Sequence, residues 1–528
     1  MTLSRRGFLA AGSAAGAGLL LPASAHFASA NAGAPGAPTG PASPGLVAAR
    51  PSITHGVAAG DVRADGALIW TRADRHGTMV VEASATPDFA NARVFRSSNA
   101  LTPDSDGTGR LRLVGLEPGQ TIHYRVTVED ADTGAASEAV TGSFRTAPAA
   151  PGNIRLHWSG DVAGQGFGIN PDVGGMFGFD AMAQRNPDFF IHSGDTCYAD
   201  GVIEANPTLD DGTTWRNVTA PAKDKVAETL QEFRGQYAYN LMDDNYLRFN
   251  SQVAQLVQWD DHETTNNWWN GEILDDDRYT EKNVSVLAER AFRAFHEWQP
   301  LDRRMAVDGR VYRKVPYGPL LDVFILDMRS YKDANPDANT NRLHDGVILG
   351  EKQVQWLIDG VRNSKATWKI IANDLPLGIV VPDGDNGDQE AVASGAGGAP
   401  NGRENEIARV LTGIRDVANV VWLTADVHYT AAHHYSPDRA TYQEFSPFWE
   451  FVSGPLNAGA FGPNDMDPTF GPEVVYVHAP GEDHQNLGPN HDFQHFGEVD
   501  IDGSTRELTV RLLTTRGTEL WTTTLTPE

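Results

Sequence analysis

Residues 192–201 read HSGDTCYADG and place Asp195, Cys197 and Tyr198 within four positions. A cysteine beside acids suggests a nucleophile, but no histidine sits where it would serve as its base. The carboxylate and the phenol offer a different chemistry, because similar polar groups recur along the chain. Asp161 ends one apolar run, Asp260, Asp261 and His262 end another, Asn373 and Asp374 a third, and Asp426 and His428 a fourth, while Arg329 follows a fifth. Any one of these aspartates could cap a turn. Gathered at one edge, so many carboxylates cannot all stay ionised unless a multivalent cation neutralises them. The donors are mostly oxygen, with one or two imidazoles, which suits hard cations such as Fe³⁺, Ca²⁺, Mg²⁺ or Mn²⁺ rather than closed structural zinc. A phenolate such as Tyr198 favours Fe³⁺. A site with two metals acidifies a water and clamps the oxygens of an in-line displacement, so the reaction class expected is hydrolysis of a phosphoric ester.

The runs that carry these groups are of strand length: IRLHWSGD, DFFIHSGD, AQLVQWDDHE, LLDVFILDMR, WKIIANDLP and VVWLTADVH. Helical patterns lie between them in SVLAERAFRAFHEWQPL, EKQVQWLIDGVRN and RENEIARVLTGIRDV. Apolar strands alternating with helices predict an α/β domain over 153–528 whose buried sheets present ligands beyond the carboxyl ends of the strands. Residues 51–147 read differently, as short alternating segments with turns between them, and predict a small β-sandwich. There LEPGQTIHYRV sets a Pro–Gly turn before Tyr124, as at the corner of a fibronectin-type sandwich. Residues 31–50 are rich in Pro, Gly and Ala and read as a flexible linker. Residues 1–30 carry Arg5 and Arg6, a weakly apolar stretch and an A-x-A end, which predicts a signal for the twin-arginine (Tat) export machinery, cut after Ala30 or, as the alternative, after Ala25.

The 528 residues carry a net charge of -27 with a pI near 4.9. Such acidity argues against a nucleic-acid-binding surface. One cysteine permits no disulfide within the chain. The apolar part of the leader is too short for a membrane span, so a soluble protein, periplasmic or extracellular, is expected.

The motifs SGD (159–161), GDTCYADG (194–201), WDDHE (259–263) and ADVH (425–428) resemble, in order, those of calcineurin-like metallophosphatases. The GDxxYAD form is similar to purple acid phosphatases. HGVAAGDV with ALIWTR, WDDHETTNNWW, LDMRSY and ADVH resemble the alkaline phosphatase D (PhoD) family over roughly residues 50–450. The resemblance implies a metallophosphatase sandwich of two central sheets flanked by helices, behind an N-terminal fibronectin- or Ig-like β-sandwich. It implies Fe³⁺ held by Asp161, Asp195, Tyr198 and His428, with Asp195 bridging to a divalent cation joined by Asp261 and Asp426. One or two divalent cations are expected beside the iron, with Ca²⁺ the first choice and Mg²⁺, Mn²⁺ and Zn²⁺ as alternatives. His262 would contact the phosphate or stabilise the leaving oxygen, and Arg329 would clamp the phosphate or else form an ordinary strand-end ion pair with a nearby Asp. A metal-bound hydroxide would attack a small phosphate monoester or diester, for phosphate scavenging. The chain departs from its relatives at Asp161, where PhoD proteins have cysteine, and at Asp426, where purple acid phosphatases have histidine. ANDLP replaces a V-x-x-H motif, leaving either Asn373 or Asp374 as the remaining ligand. The alternative reading is a non-catalytic, calcium-dependent cell-surface binding protein that keeps the fold.

Weaker signals are ranked lower. His433 and His434 read as loop residues beyond ADVH, one of them a candidate for lining the site. The acidic stretches 271–278, 382–390 and 462–468 read as solvated loops, and 393–402 as a mobile loop near the entrance. Trp268 and Trp269 fit either a wall for an apolar ester group or core packing.

Overall fold

A computed structural model describes residues 50–209, 212–335, 346–383 and 388–528; the predicted leader and nearly all of the linker lie outside them. In chain order the N-terminal strands are β1 (Ile53–Arg63), β2 (Gly66–Ala73), β3 (Gly77–Ser84), β4 (Arg93–Arg96), β5 (Thr108–Arg112), β6 (Thr121–Asp130) and β7 (Val140–Arg145). Next come β8 (Ile154–Ser159), α1 (Phe177–Gln184), β9 (Phe189–His192), α2 (Leu230–Asn240), α3 (Asp244–Gln252), β10 (Ala254–Val257) and α4 (Val284–Trp298). The second half holds β11 (Arg313–Pro316), β12 (Leu321–Ile325), α5 (Glu351–Asn363), β13 (Trp368–Ala372), the short pair β14 (Pro382–Asp383) and β15 (Asp388–Gln389), α6 (Glu404–Ile414) and β16 (Val420–Thr424). It ends with β17 (Thr430–Tyr435), β18 (Phe448–Val452), β19 (Pro472–His478), β20 (His495–Ile501), β21 (Leu508–Thr514) and β22 (Glu519–Leu525).

Two large sheets face each other. The nine-stranded sheet runs β22-β21-β20-β8-β9-β10-β1-β2-β5 and the seven-stranded sheet β11-β12-β13-β16-β18-β17-β19. Strands β8, β9 and β10 are mutually parallel, as are β12, β13 and β16. Their near-continuous apolar sequences follow from burial on both faces. Between the sheets, Trp158, Ile191 and Leu256 of the first pack in one core with Ile325, Ile370 and Leu423 of the second. Helix α5 buries Val354, Leu357 and Val361, a helical spacing, beside Phe324, Ile371 and Trp422 on the outer face of the second sheet.

The N-terminal segment differs from a self-contained sandwich. Its β4-β3-β6-β7 sheet is separate, but β1, β2 and β5 extend the nine-stranded sheet through a parallel pairing of β1 with β10, Gly60 opposite Gln255. Strand β1 carries too little side-chain bulk to read as a strand. Gly60 has no Cβ because the Pro300 carbonyl occupies that space. Tyr124, read from sequence as a corner residue, is buried, and its Oη donates to the Ser251 carbonyl of α3, 3.5 Å away, which braces the two parts of the chain.

Candidate metal centre

The carboxyl ends of the six parallel strands meet between the sheets. The loops after β8 and β9 interlock: Ser193 N donates to Ser159 O (2.9 Å), and Val162 N to Asp195 O (3.0 Å). Gln258, just beyond β10, spans the gap between the sheets by donating to Ala372 O (2.9 Å). Asp161, Asp195, Asp426 and His428 all take left-handed backbone, with φ of 64°, 48°, 64° and 64°. That conformation costs about 1 kcal/mol or more for each non-glycine residue, and such strain concentrates at functional sites. Two glycines make room: a Cβ on Gly454 would strike Asp161 Oδ2, and one on Gly164 would lie 2.5 Å from the Tyr198 ring.

Three overlapping groups result, in each of which one ligand atom per residue lies within 4.8 Å of the others: Asp161, Asp195 and His428; Asp195, Asp261 and His262; Asp260, Asp261 and Asp426. Asp195 and Asp261 therefore each belong to two groups. Tyr198 joins the first, its Oη 2.9 Å from His428 Nε2, and His428 Nε2 is 3.3 Å from Asp161. Burial, then the charges of Asp261, Asp260 and Asp161, raise the Asp195 carboxyl well above its ordinary range. Burial and the charges of Asp195 and Asp161 raise the Tyr198 phenol likewise. Asp374 stands 3.3 Å from Arg329 Nε, and burial and the neighbouring Asp260 raise its carboxyl too. Asn373 is buried beside it, with Nδ2 bound to Leu375 O (2.6 Å) and Oδ1 meeting no donor. Mutual repulsion among buried anions and an amide oxygen without a donor fit a site for hard cations.

The structure thus brings Asp161, Asp195, Tyr198, Asp261, His262, Asp374, Asp426 and His428 together, and Asn373 adjoins them. Arg329 lies inside the cluster, fully buried. Its Nε binds Asp260 and its Nη1 binds Glu390, while Nη2 makes no hydrogen bond and points between Asp426 (3.5 Å) and Asp261 (3.8 Å).

Two family models match the chain: PhoD-like phosphatase over residues 156–512, and the PhoD-like phosphatase N-terminal domain over residues 40–148. The chain belongs to the PhoD-like phosphatase family. Alkaline phosphatase D of Bacillus subtilis (strain 168) is 26% identical over 437 residues, 78% of this chain and 70% of that protein. The solved structure of PhoD superposes with a TM-score of 0.67 at 20% identity, covering 91% of this chain and 90% of that one. A purple acid phosphatase, PPD1 from yellow lupin (Lupinus luteus) seeds, gives 0.56 at 13% identity over 90% of this chain and 74% of its own. These likenesses bear out the two-sheet metallophosphatase fold.

Within this PhoD-like site, several residues escaped the sequence reading. Asp200 accepts from His262 Nδ1 (2.8 Å), fixing that ring against Tyr198, whose centroid is 4.1 Å away. Asp200 follows directly from the YAD motif, so the signal was present. Glu263 accepts from Thr196 N and Oγ1 (2.6 Å each) and from Asp260 N (2.8 Å), binding two site loops together. Glu390 corrects the reading of 382–390 as a solvated loop, because it is fully buried on Arg329. His433 and His434 lie not in a loop but in β17, where His433 is buried on Glu450 (3.1 Å) and belongs to none of the three groups. Trp268 packs in the core against Trp259. Cys197 is fully buried, and burial together with the nearby Glu263 charge pushes its thiol up, so it supplies no thiolate.

Proposed function

We propose that this chain is an exported, metal-dependent hydrolase of phosphoric esters that takes small monoesters or diesters outside the cytoplasm and serves phosphate scavenging. The observation that carries the reading is the sharing of Asp195 and Asp261 among three acidic groups, an arrangement suited to adjacent cations. Asp161, Asp195, Tyr198 and His428 would hold Fe³⁺. Asp195, Asp261 and Asp426, with the side chain of Asn373 or Asp374, would hold a divalent cation, Ca²⁺ before Mg²⁺ or Mn²⁺. Bound there, metal ions would acidify water and draw charge from the phosphoryl oxygens.

The chain's own residues do the rest. Arg329 Nη2 is the guanidinium nitrogen left for a phosphate oxygen, since Nε and Nη1 are engaged. His262 is held through Nδ1 by Asp200, and its ring would face the phosphate or pass a proton to the leaving oxygen. The surrounding burial strengthens both contacts by excluding water. Rates on a nitrophenyl monoester and a bis-nitrophenyl diester, with elemental analysis of the same samples, test the reading. Wild type should turn over at least one ester, and Asp195→Ala should lose metal and turnover together. Turnover retained by Asp195→Ala contradicts it.

A further inference from the structure

Resting on the reading of Arg329 as a phosphate contact, we propose that Glu390 is a positioning residue that aims the Arg329 guanidinium at the phosphate. The guanidinium is planar, so fixing two of its nitrogens fixes the third. Asp260 takes Nε and Glu390 takes Nη1, and Nη2 is then directed between Asp261 and Asp426. Arg329 is otherwise surrounded by carboxylates on the metal side alone: Asp374 at 3.3 Å, Asp426 at 3.5 Å and Asp261 at 3.8 Å. Glu390 is the opposing anion. Without it nothing opposes those carboxylates, and the guanidinium is drawn closer to them until Nη2 hydrogen-bonds there instead of to phosphate.

Glu390 is itself held in place from three directions. Its backbone N donates to Val381 O (2.8 Å). Arg403 Nη1 reaches the carbonyls on either side of it, Gln389 at 3.4 Å and Ala391 at 2.9 Å. Arg403 Nη2 binds Asp333 O (2.8 Å) and Ala334 O (3.1 Å), tying the Glu390 segment to the chain that follows Arg329. Lys332 Nζ lies 3.7 Å from the Glu390 oxygen that Arg329 binds, and is anchored on Asn267 O and Trp268 O (3.1 Å each). A surface carboxylate would need none of this; a carboxylate that sets the direction of a buried guanidinium does.

The test is calorimetric titration of inorganic phosphate into the full-length protein as purified, with metal content measured on each sample. The variants are Glu390→Ala, Glu390→Gln, Arg329→Met and the double Glu390→Ala/Arg329→Met. Losing one charge-assisted contact should weaken phosphate about tenfold in Glu390→Ala at unchanged metal content. Glu390→Gln, which keeps an acceptor oxygen without the charge, should fall between it and wild type, and it carries the test if the alanine variant does not fold. In the double variant phosphate should bind no more weakly than in Arg329→Met. Wild-type affinity in both Glu390 variants, or single losses that multiply in the double variant, would overturn the proposal. Wild-type affinity in Arg329→Met would instead overturn the phosphate contact beneath it.

Discussion

Replacing Asp195 with Asn should change stability in opposite directions with and without metal. The Asp195 carboxylate lies within 4.8 Å of ligand atoms of Asp161 in one group and Asp261 in another. At that separation a pair of unit charges repels by about 3.5 kcal/mol at an effective dielectric constant of about 20. Proton uptake by the raised Asp195 carboxyl relieves much of this, leaving about 1–3 kcal/mol of strain that the amide removes. A chain of this size has an unfolding entropy of about 1 kcal/mol/K, so chelator-stripped Asp195→Asn should melt about 1–3 °C above stripped wild type. Metal-reconstituted wild type gains about 2.7 kcal/mol from a cation at a hundred times its Kd, and the variant, lacking a shared ligand, forfeits that gain. Differential scanning calorimetry at pH 8, where the carboxylates are most pressed to ionise, measures both states. Equal destabilisation of the variant in both states would refute the idea of a repulsive cluster awaiting cations.

Cys197→Ser should leave ester turnover unchanged while lowering stability by about 1 kcal/mol, the cost of exchanging a fully buried thiol for a more strongly hydrated hydroxyl, and turnover assays beside urea titration check both. Asp61→Asn should cost about 3 kcal/mol in denaturant unfolding, because it strips the buried Arg313 guanidinium of its partner (2.8 Å) while both halves of the chain still unfold in one transition. Burial alone would raise the Glu498 carboxyl, but hydrogen bonds from Arg185 and His157 outweigh it and hold it well below its ordinary range. Its stabilisation is therefore complete above the unfolded value near 4.5 and is lost as pH falls further, so Glu498→Gln should flatten the acid limb of a stability–pH profile.

The six site strands were legible because each is a buried apolar run ending in polar residues, and the ligand candidates were legible because they stand at those ends. The joining of β1 to β10 was hidden by small residues: Gly60 and its alanine neighbours are selected for close approach, which leaves no hydrophobic pattern. Glu390 was hidden for a different reason. The residues before it in sequence are polar and acidic, and only the fold brings Arg403, Lys332 and Arg329 around it. Asp200 could have been found, since a carboxylate two residues after Tyr198 is within reach of whatever Tyr198 reaches. The left-handed backbone at Asp161, Asp195, Asp426 and His428 is set by packing between loops, and the tolerance of Asp and His for it is too common a property to mark these four positions in the sequence.

The central claim is that this acidic centre hydrolyses phosphoric esters by means of the cations it holds. The most direct measurement is release of nitrophenolate from a phosphate ester by the purified protein, before chelation, after it, and after metal is restored. The account predicts turnover that vanishes with the metal and returns with it. Turnover that survives complete removal of metal, or none from protein with its metals in place, would contradict it.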